Sequence, residues 1–267
     1  MSFVRVDKPI EHVSRITLDR PERMNAMSFD LVGPLYEAIE RVKVDNDSWV
    51  VILTGVGSGF CSGLDLEDHG VPPHIDGLPM SRIATRAMEY MSNLVPALRH
   101  LPQPVLCAIN GPAVGGGMCL TLGADVRLAA RSAYFRAAGI TNGLTATELG
   151  VSYLLPRLVG ASRAFEILLS GRDVSAEEAE RIGLVSRTVD DDRLEAETLA
   201  LAERICGLSP HGVAMTKQVL WANLEASSLE AAIDLENRNQ LLVRLTTNNL
   251  EEAIRARREK RKPVYRD

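Results

Sequence analysis

Ile109-Asn110-Gly111-Pro112-Ala113-Val114-Gly115-Gly116-Gly117-Met118-Cys119-Leu120 is the stretch on which the reading of this chain turns. An apolar run ends at Asn-Gly, a short loop follows, and three consecutive glycines open a helix. Three glycines in a row cost backbone entropy, so the stretch predicts that another group must come close to bare backbone. A helix N-terminus offers unpaired N–H donors and the positive end of the helix dipole, which together favour negative charge. A tight turn beneath a close helix contact would also use three glycines, so the flanking sequence has to discriminate.

Upstream, Pro104-Val105-Leu106-Cys107-Ala108-Ile109 is continuously apolar, as is Trp49-Val50-Val51-Ile52-Leu53-Thr54. Such runs predict strands covered on both faces. His12-Val13-Ser14-Arg15-Ile16-Thr17-Leu18 alternates like a half-buried strand and is broken by Arg20 to Met27. Ser28 is placed to cap a helix whose apolar stripe is Leu31, Val32, Leu35, Ile39 and Val42. A second glycine loop, Gly55-Val56-Gly57-Ser58-Gly59-Phe60-Cys61-Ser62-Gly63-Leu64-Asp65-Leu66, follows the strand at 49–54. It fails the dinucleotide, P-loop and serine-hydrolase patterns, the first because Phe60 stands where the last glycine belongs.

Residues 70–80 read as a mobile Pro/Gly-rich loop and 81–99 as one helix. Downstream, Ala124-Asp125-Val126-Arg127-Leu128-Ala129 predicts another strand, and Ser175-Ala176-Glu177-Glu178 a capping box whose helix stops at Gly183. Strands and helices alternate, with glycine loops at strand ends, which predicts an α/β fold built from β-β-α units. From about residue 193 the pattern is helical, with turns near Ser209-Pro210 and Ser227-Ser228. The expected division is a core over 1–195 and a helical region over 196–267 forming a separate layer or an assembly surface.

Composition narrows the partners. A net charge of −5 without an internal basic tract argues against nucleic acid. Four cysteines (Cys61, Cys107, Cys119, Cys206) without a C-x-x-C pair suit a reducing compartment, and no His/Asp/Glu cluster has metal-ligand spacing. The N-terminus lacks a signal-peptide core, and no stretch approaches the roughly 18 apolar residues of a membrane span. The expectation is a soluble cytoplasmic protein without metal or membrane partner.

Taken in order, several stretches resemble the crotonase superfamily, the enoyl-CoA hydratase/isomerase family. They are Arg20-Pro21-Glu22-Arg23-Met24-Asn25-Ala26, Val51 to Gly55, Phe60-Cys61-Ser62-Gly63-Leu64-Asp65-Leu66, Pro104 to Gly117 and Gly123-Ala124-Asp125. Leu155-Pro156-Arg157-Leu158-Val159-Gly160, Leu169-Ser170-Gly171-Arg172, Glu178 to Val185 and Glu259 to Pro263 continue the pattern. The resemblance implies a spiral of β-β-α repeats with a C-terminal helical trimerisation region, the trimers often pairing into hexamers. It also implies an acyl-CoA substrate, no cofactor beyond the coenzyme A of that substrate, and an oxyanion hole formed by the N–H groups of Leu64 and Gly116. Arg23, Ala26, Ser62, Asp65, Leu66, Gly115, Cys119 and Gly139 would line the substrate site, Asp65 and Leu66 near adenine and Arg23 towards the phosphates.

Hydratases of that family handle water with two glutamates, whose positions here hold Cys119 and Gly139. Neither residue replaces a titrating carboxyl group directly. A thiolate at Cys119 would be favoured by the helix dipole, although most such cysteines are small core residues. The remaining carboxylate is Glu148, at the position where the family's isomerases place an acid–base glutamate. Double-bond isomerisation of an enoyl-CoA through Glu148 is the leading expectation. Enoyl-CoA hydration and a catalytically silent acyl-CoA-binding protein are the alternatives, as is a purely structural Glu148 paired with Arg157.

Overall fold

Six strands lie side by side in the main sheet, and the continuously apolar ones stand at its centre. The computed structural model describes residues 2–265. β1 (Val4–Ile10) pairs antiparallel with β2 (Val13–Leu18), and the chain then crosses through α1 (Phe29–Lys43) to β3 (Val50–Gly55). α2 (Met80–Ser92) and α3 (Leu94–Arg99) lead to β4 (Val105–Ile109), and β5 (Ala113–Val114) and α4 (Gly116–Leu122) to β6 (Val126–Ala130). β7 (Tyr134–Arg136), α5 (Ala138–Thr141), α6 (Val151–Val159), α7 (Ala161–Ser170), β8 (Val174–Ser175) and α8 (Ala176–Arg181) precede β9 (Arg187–Val189). Four helices finish the chain: α9 (Leu194–Cys206), α10 (Pro210–Asn223), α11 (Leu229–Thr246) and α12 (Asn249–Arg258).

The main sheet runs β1-β2-β3-β4-β6-β9 and is parallel from β2 onward, whereas β5-β7-β8 form a second, small sheet. Val51, Leu53, Val105, Cys107 and Ile109 join the larger core with α1 and α4. Alternate residues Val50, Ile52, Leu106, Ala108 and Leu128 pack beneath Leu194 and Ala202 of α9. A strand buried on both faces needs apolar residues at every position, and β4 is fully buried throughout. The helical region expected after 195 therefore begins against the sheet itself.

Four local expectations change. β1 was not anticipated, because Val4–Ile10 alternates poorly; it is an edge strand with charged residues, Pro9 and an irregular register between Asp7 and Ile10. The helix expected over 81–99 breaks at Asn93, where Pro96 has no N–H to return to Ser92. Ser28 stands at the N-cap of α1 with extended backbone, but its side chain makes no capping bond. The capping box at Ser175 is half formed: Ser175 accepts from the Glu178 amide, while the Glu178 carboxylate turns to Arg172. Ser209 and Ser228 do cap α10 and α11 through their side chains.

Candidate active site

The two glycine loops leave the C-terminal ends of β3 and β4 and meet. A Cβ on Gly63 would stand 2.7 Å from the Val114 carbonyl oxygen and 3.3 Å from the Gly116 nitrogen. Gly117 is packed closer still, since a Cβ there would fall 2.1 Å from the Cys61 carbonyl oxygen. Close approach of backbone to backbone is thus what the three glycines provide at 117. At 115 they also provide a positive φ of 53°.

Two amides emerge from this contact with no acceptor among the described residues, those of Leu64 and Gly116. Their directions follow from peptide planarity, because the oxygen and hydrogen of a trans peptide point oppositely. Gly63 O accepts the Met27 amide at 2.7 Å, so the Leu64 N–H at the other end of that plane faces away from Met27. Gly115 O accepts the Cys119 amide at 3.1 Å in the first turn of α4, so the Gly116 N–H points out of the helix. Both donors are fixed by bonds at the far ends of their own planes, and each such bond strengthens its donor.

Glu148 lies across from them. Its Oε1 is 3.5 Å from where a Gly115 Cβ would stand. The carboxylate is half-buried and has no hydrogen bond or ion pair among the described residues. Burial pushes its pKa above 4.5. Leu149 has a φ of 45° and Gly150 one of 83°, a sharp turn that starts α6 and aims Glu148 inward. A left-handed non-glycine residue is costly and tends to persist where surroundings hold it for function. Arg157 does not pair with Glu148: its guanidinium lies over the Tyr153 ring at 3.4 Å and donates to the Tyr153 carbonyl.

Neither Cys119, which lies beside Glu148, nor Gly139 offers an acid–base group. The Cys119 thiol is buried and 3.6 Å from the Glu148 carbonyl oxygen. Burial, and then the Glu148 carboxylate, push its pKa well above 9.0, against the thiolate that the helix dipole would favour. Gly139 has no room for a side chain, because its Cβ would meet the Thr145 carbonyl oxygen at 2.1 Å.

The residues expected around coenzyme A divide. Leu64 and Leu66 are exposed, at 47% and 68%. Ala26 is buried, and the Ser62 hydroxyl donates to the Arg23 carbonyl. Asp65 is 2% exposed, and its carboxylate accepts Arg23, Arg20 and the amides of Glu67 and Asp68, so that side chain is engaged within the protein. Arg23, and the two amides behind it, hold the Asp65 carboxyl far below the usual carboxylate range. Arg23 is likewise paired with Asp65 and Glu67. The sequence reading did not single out Arg20, which is buried and spans from Asp65 to Asp68. Asn25 was also passed over; buried with φ at 55°, it binds the Arg20 amide and the carbonyls of Val56, Gly59 and Phe60. The motif holds both residues, but sequence spacing does not reveal partners some 35–45 positions away.

Among the described residues no group of three or more His, Cys, Asp or Glu gathers as a metal site would require, and no helix is long and apolar enough to cross a membrane. A family model described as Enoyl-CoA hydratase/isomerase matches residues 10–267. A Mycobacterium bovis protein named "Probable enoyl-CoA hydratase echA12" is 56% identical over 267 residues, covering 100% of this chain and 94% of its own. The crystal structure of a probable enoyl-CoA hydratase/isomerase from Mycobacterium abscessus superposes with a TM-score of 0.95 at 53% identity, covering 100% of this chain and 99% of that one. A structure described as a monofunctional enoyl CoA isomerase from M. smegmatis gives 0.74 at 51% identity, covering 87% and 99%.

Proposed function

Because this chain belongs to the enoyl-CoA hydratase/isomerase family, we propose that it moves the double bond of an enoyl-CoA thioester, with Glu148 as the acid–base group. The fold is that of the crotonases. The observation that carries the reading is an unpartnered, half-buried carboxylate facing the glycine that adjoins a free, preorganised amide.

The thioester oxygen would sit between the Leu64 and Gly116 amides. Glu148 takes a proton from C2 of a 3-enoyl thioester, and the C–H electron pair passes into the carbonyl to give a dienolate. The negative oxygen is stabilised by donors already in place, an arrangement whose single donors are typically worth about 10²–10³ in rate. The same carboxyl returns the proton to C4, leaving the double bond between C2 and C3. Raising the carboxyl pKa by burial makes it a stronger base near neutrality. Hydration is less well served, because the positions of the two hydratase glutamates hold a buried thiol whose pKa burial raises and a glycine with no room for a side chain. The M. smegmatis isomerase among the similar structures belongs to the same reaction class.

Conversion of 3-enoyl-CoA, followed by the absorbance of the conjugated thioester, tests the reading. Glu148→Gln is expected to lower kcat by about 10²–10⁴ with little change in KM. Fast hydration of trans-2-enoyl-CoA that survives Glu148→Gln would overturn it, and tight ester binding with neither activity would favour a silent acyl-CoA-binding protein. Coenzyme A enters in this scheme only as part of the substrate. Self-association as a trimer or a dimer of trimers, through the C-terminal helices, belongs to the same proposal.

A further inference from the structure

Asp65 directly follows a proposed catalytic amide, yet it shows the substrate almost no surface. Its side chain is saturated by the Arg20 guanidinium at 2.8 Å, Arg23 at 2.6 and 3.2 Å, and the Glu67 and Asp68 amides at 3.0 and 2.9 Å. Its own amide donates to Met27 O at 3.0 Å. Met27 in turn donates to Gly63 O, so Leu64 is bracketed by two backbone bonds to one residue of the opposite segment.

That opposite segment is held from behind by Arg20. The Arg20 amide binds Asn25 Oδ1, its guanidinium reaches Ala26 O, and the side chain is buried against Phe3. The Arg20–Asp65 pair thus ties segment 20–27 to segment 63–68 immediately beside the Met27–Gly63 bond. Shifting one segment against the other would tilt the Gly63–Leu64 peptide plane. The Leu64 N–H would then turn away from the carbonyl oxygen that it is proposed to share with the Gly116 N–H.

We propose that Asp65, braced by Arg20 and Arg23, is the positioning residue of the oxyanion hole: it sets the plane of the Gly63–Leu64 peptide and so the aim of the Leu64 N–H. The inference rests on the assignment of Leu64 and Gly116 as carbonyl donors, but not on Glu148 or on the reaction that follows. Its signature is a loss of carbonyl polarisation with substrate affinity largely kept. A brace that only held the fold together would lower the amount of active protein and leave the bound carbonyl unchanged.

The test reads the thioester carbonyl stretch of bound trans-2-enoyl-CoA by difference infrared spectroscopy, alongside steady-state kinetics. In the wild-type protein the band should lie below its solution frequency. In Asp65→Asn it should return towards that frequency, with kcat reduced about 10- to 100-fold and KM changed about threefold or less. Arg23→Gln removes the half-exposed partner and keeps the buried pair, so it stays folded should Asp65→Asn fail to; it should move the band the same way by a smaller amount. Glu148→Gln should lower kcat by about 10²–10⁴ and leave the band in place, which separates failure of the reaction assignment from failure of this one. A folded Asp65→Asn protein with the wild-type band overturns the inference, as does an unmoved band in Arg23→Gln. An unshifted band in the wild type overturns it together with the oxyanion hole it serves.

Discussion

Glu148 shows how a residue can be recognised by what does not touch it. A carboxylate that is half-buried and unpaired is destabilised in its charged form, so its pKa lies above the ordinary 4.5. The folded state therefore holds this proton more tightly than the unfolded chain does. Its contribution to stability is complete below pH 4.5 and is lost as pH rises through the folded pKa. Glu148→Gln should accordingly melt at the same temperature as wild type in acid, relative to a common baseline, and above wild type at pH 7. Over the same range kcat/KM of the wild type should climb with pH as the base ionises, on a limb displaced upward from 4.5. Calorimetry at several pH values checks the first statement and initial rates the second; a Gln variant less stable than wild type at pH 7 would show that the carboxylate has a partner. The family resemblance pointed to Glu148, and the structure sets its Oε1 3.5 Å from where a Gly115 Cβ would stand. Sequence could not show the absence of a partner, or that Asp65, also expected at the substrate, spends its charge on two arginines. Both facts depend on contacts between segments far apart in the chain.

At the scale of elements, the junction of β5 and α4 was readable because its constraint is local. Three glycines announce close backbone approach, and the structure puts that approach at Gly117 against Cys61 O and at Gly63 against Val114 O. The direction of the Leu64 amide was not readable, because it depends on Met27, which pairs with Leu64 from the far side. A substitution pair at Gly116 separates backbone chemistry from packing. Gly116→Ala keeps the N–H; its Cβ would stand 3.0 Å from Met27 Sδ, the mobile end of a flexible side chain. Gly116→Pro removes the N–H at the first position of a helix, where proline is otherwise tolerated. Proline should lower kcat by about 10²–10³ beyond the effect of alanine, with circular dichroism showing α4 and the sheet retained. Equal activity in the two variants would mean that this amide does not touch the reacting carbonyl. Breaks such as that at Asn93 escaped the sequence reading because an apolar stripe continues across Pro96, and only the missing proline N–H interrupts the ladder.

For the whole molecule, the α/β core was legible and the role of the last helices only in part. Apolar periodicity identifies α9 to α12 as helices but does not say what they pack on. In the structure α9 covers the sheet, and α10 is tied to it by Lys217, buried between Gln103 O and Asp125, and by Trp221 donating to Asp125 at 2.6 Å. α11 contains no fully buried residue, and Leu229, Leu241, Leu242 and Leu245 stand exposed along it. Beside it, an apolar groove of about 900 Å³ runs between α10, α11 and the sheet end, with Leu208, Leu220 and Val243 on its walls. Apolar surface so concentrated in one region is characteristic of an interface. Leu241 and Leu245, four residues apart, share one helix face. We therefore expect sedimentation equilibrium to give three or six times the 29.2 kDa of one chain. Burying each leucine is worth about 1.5 kcal/mol or more, so Leu241→Asp with Leu245→Asp should weaken assembly about 10²-fold or more and release monomers at micromolar concentration. A wild-type mass of one chain would show instead that α11 stays open to solvent.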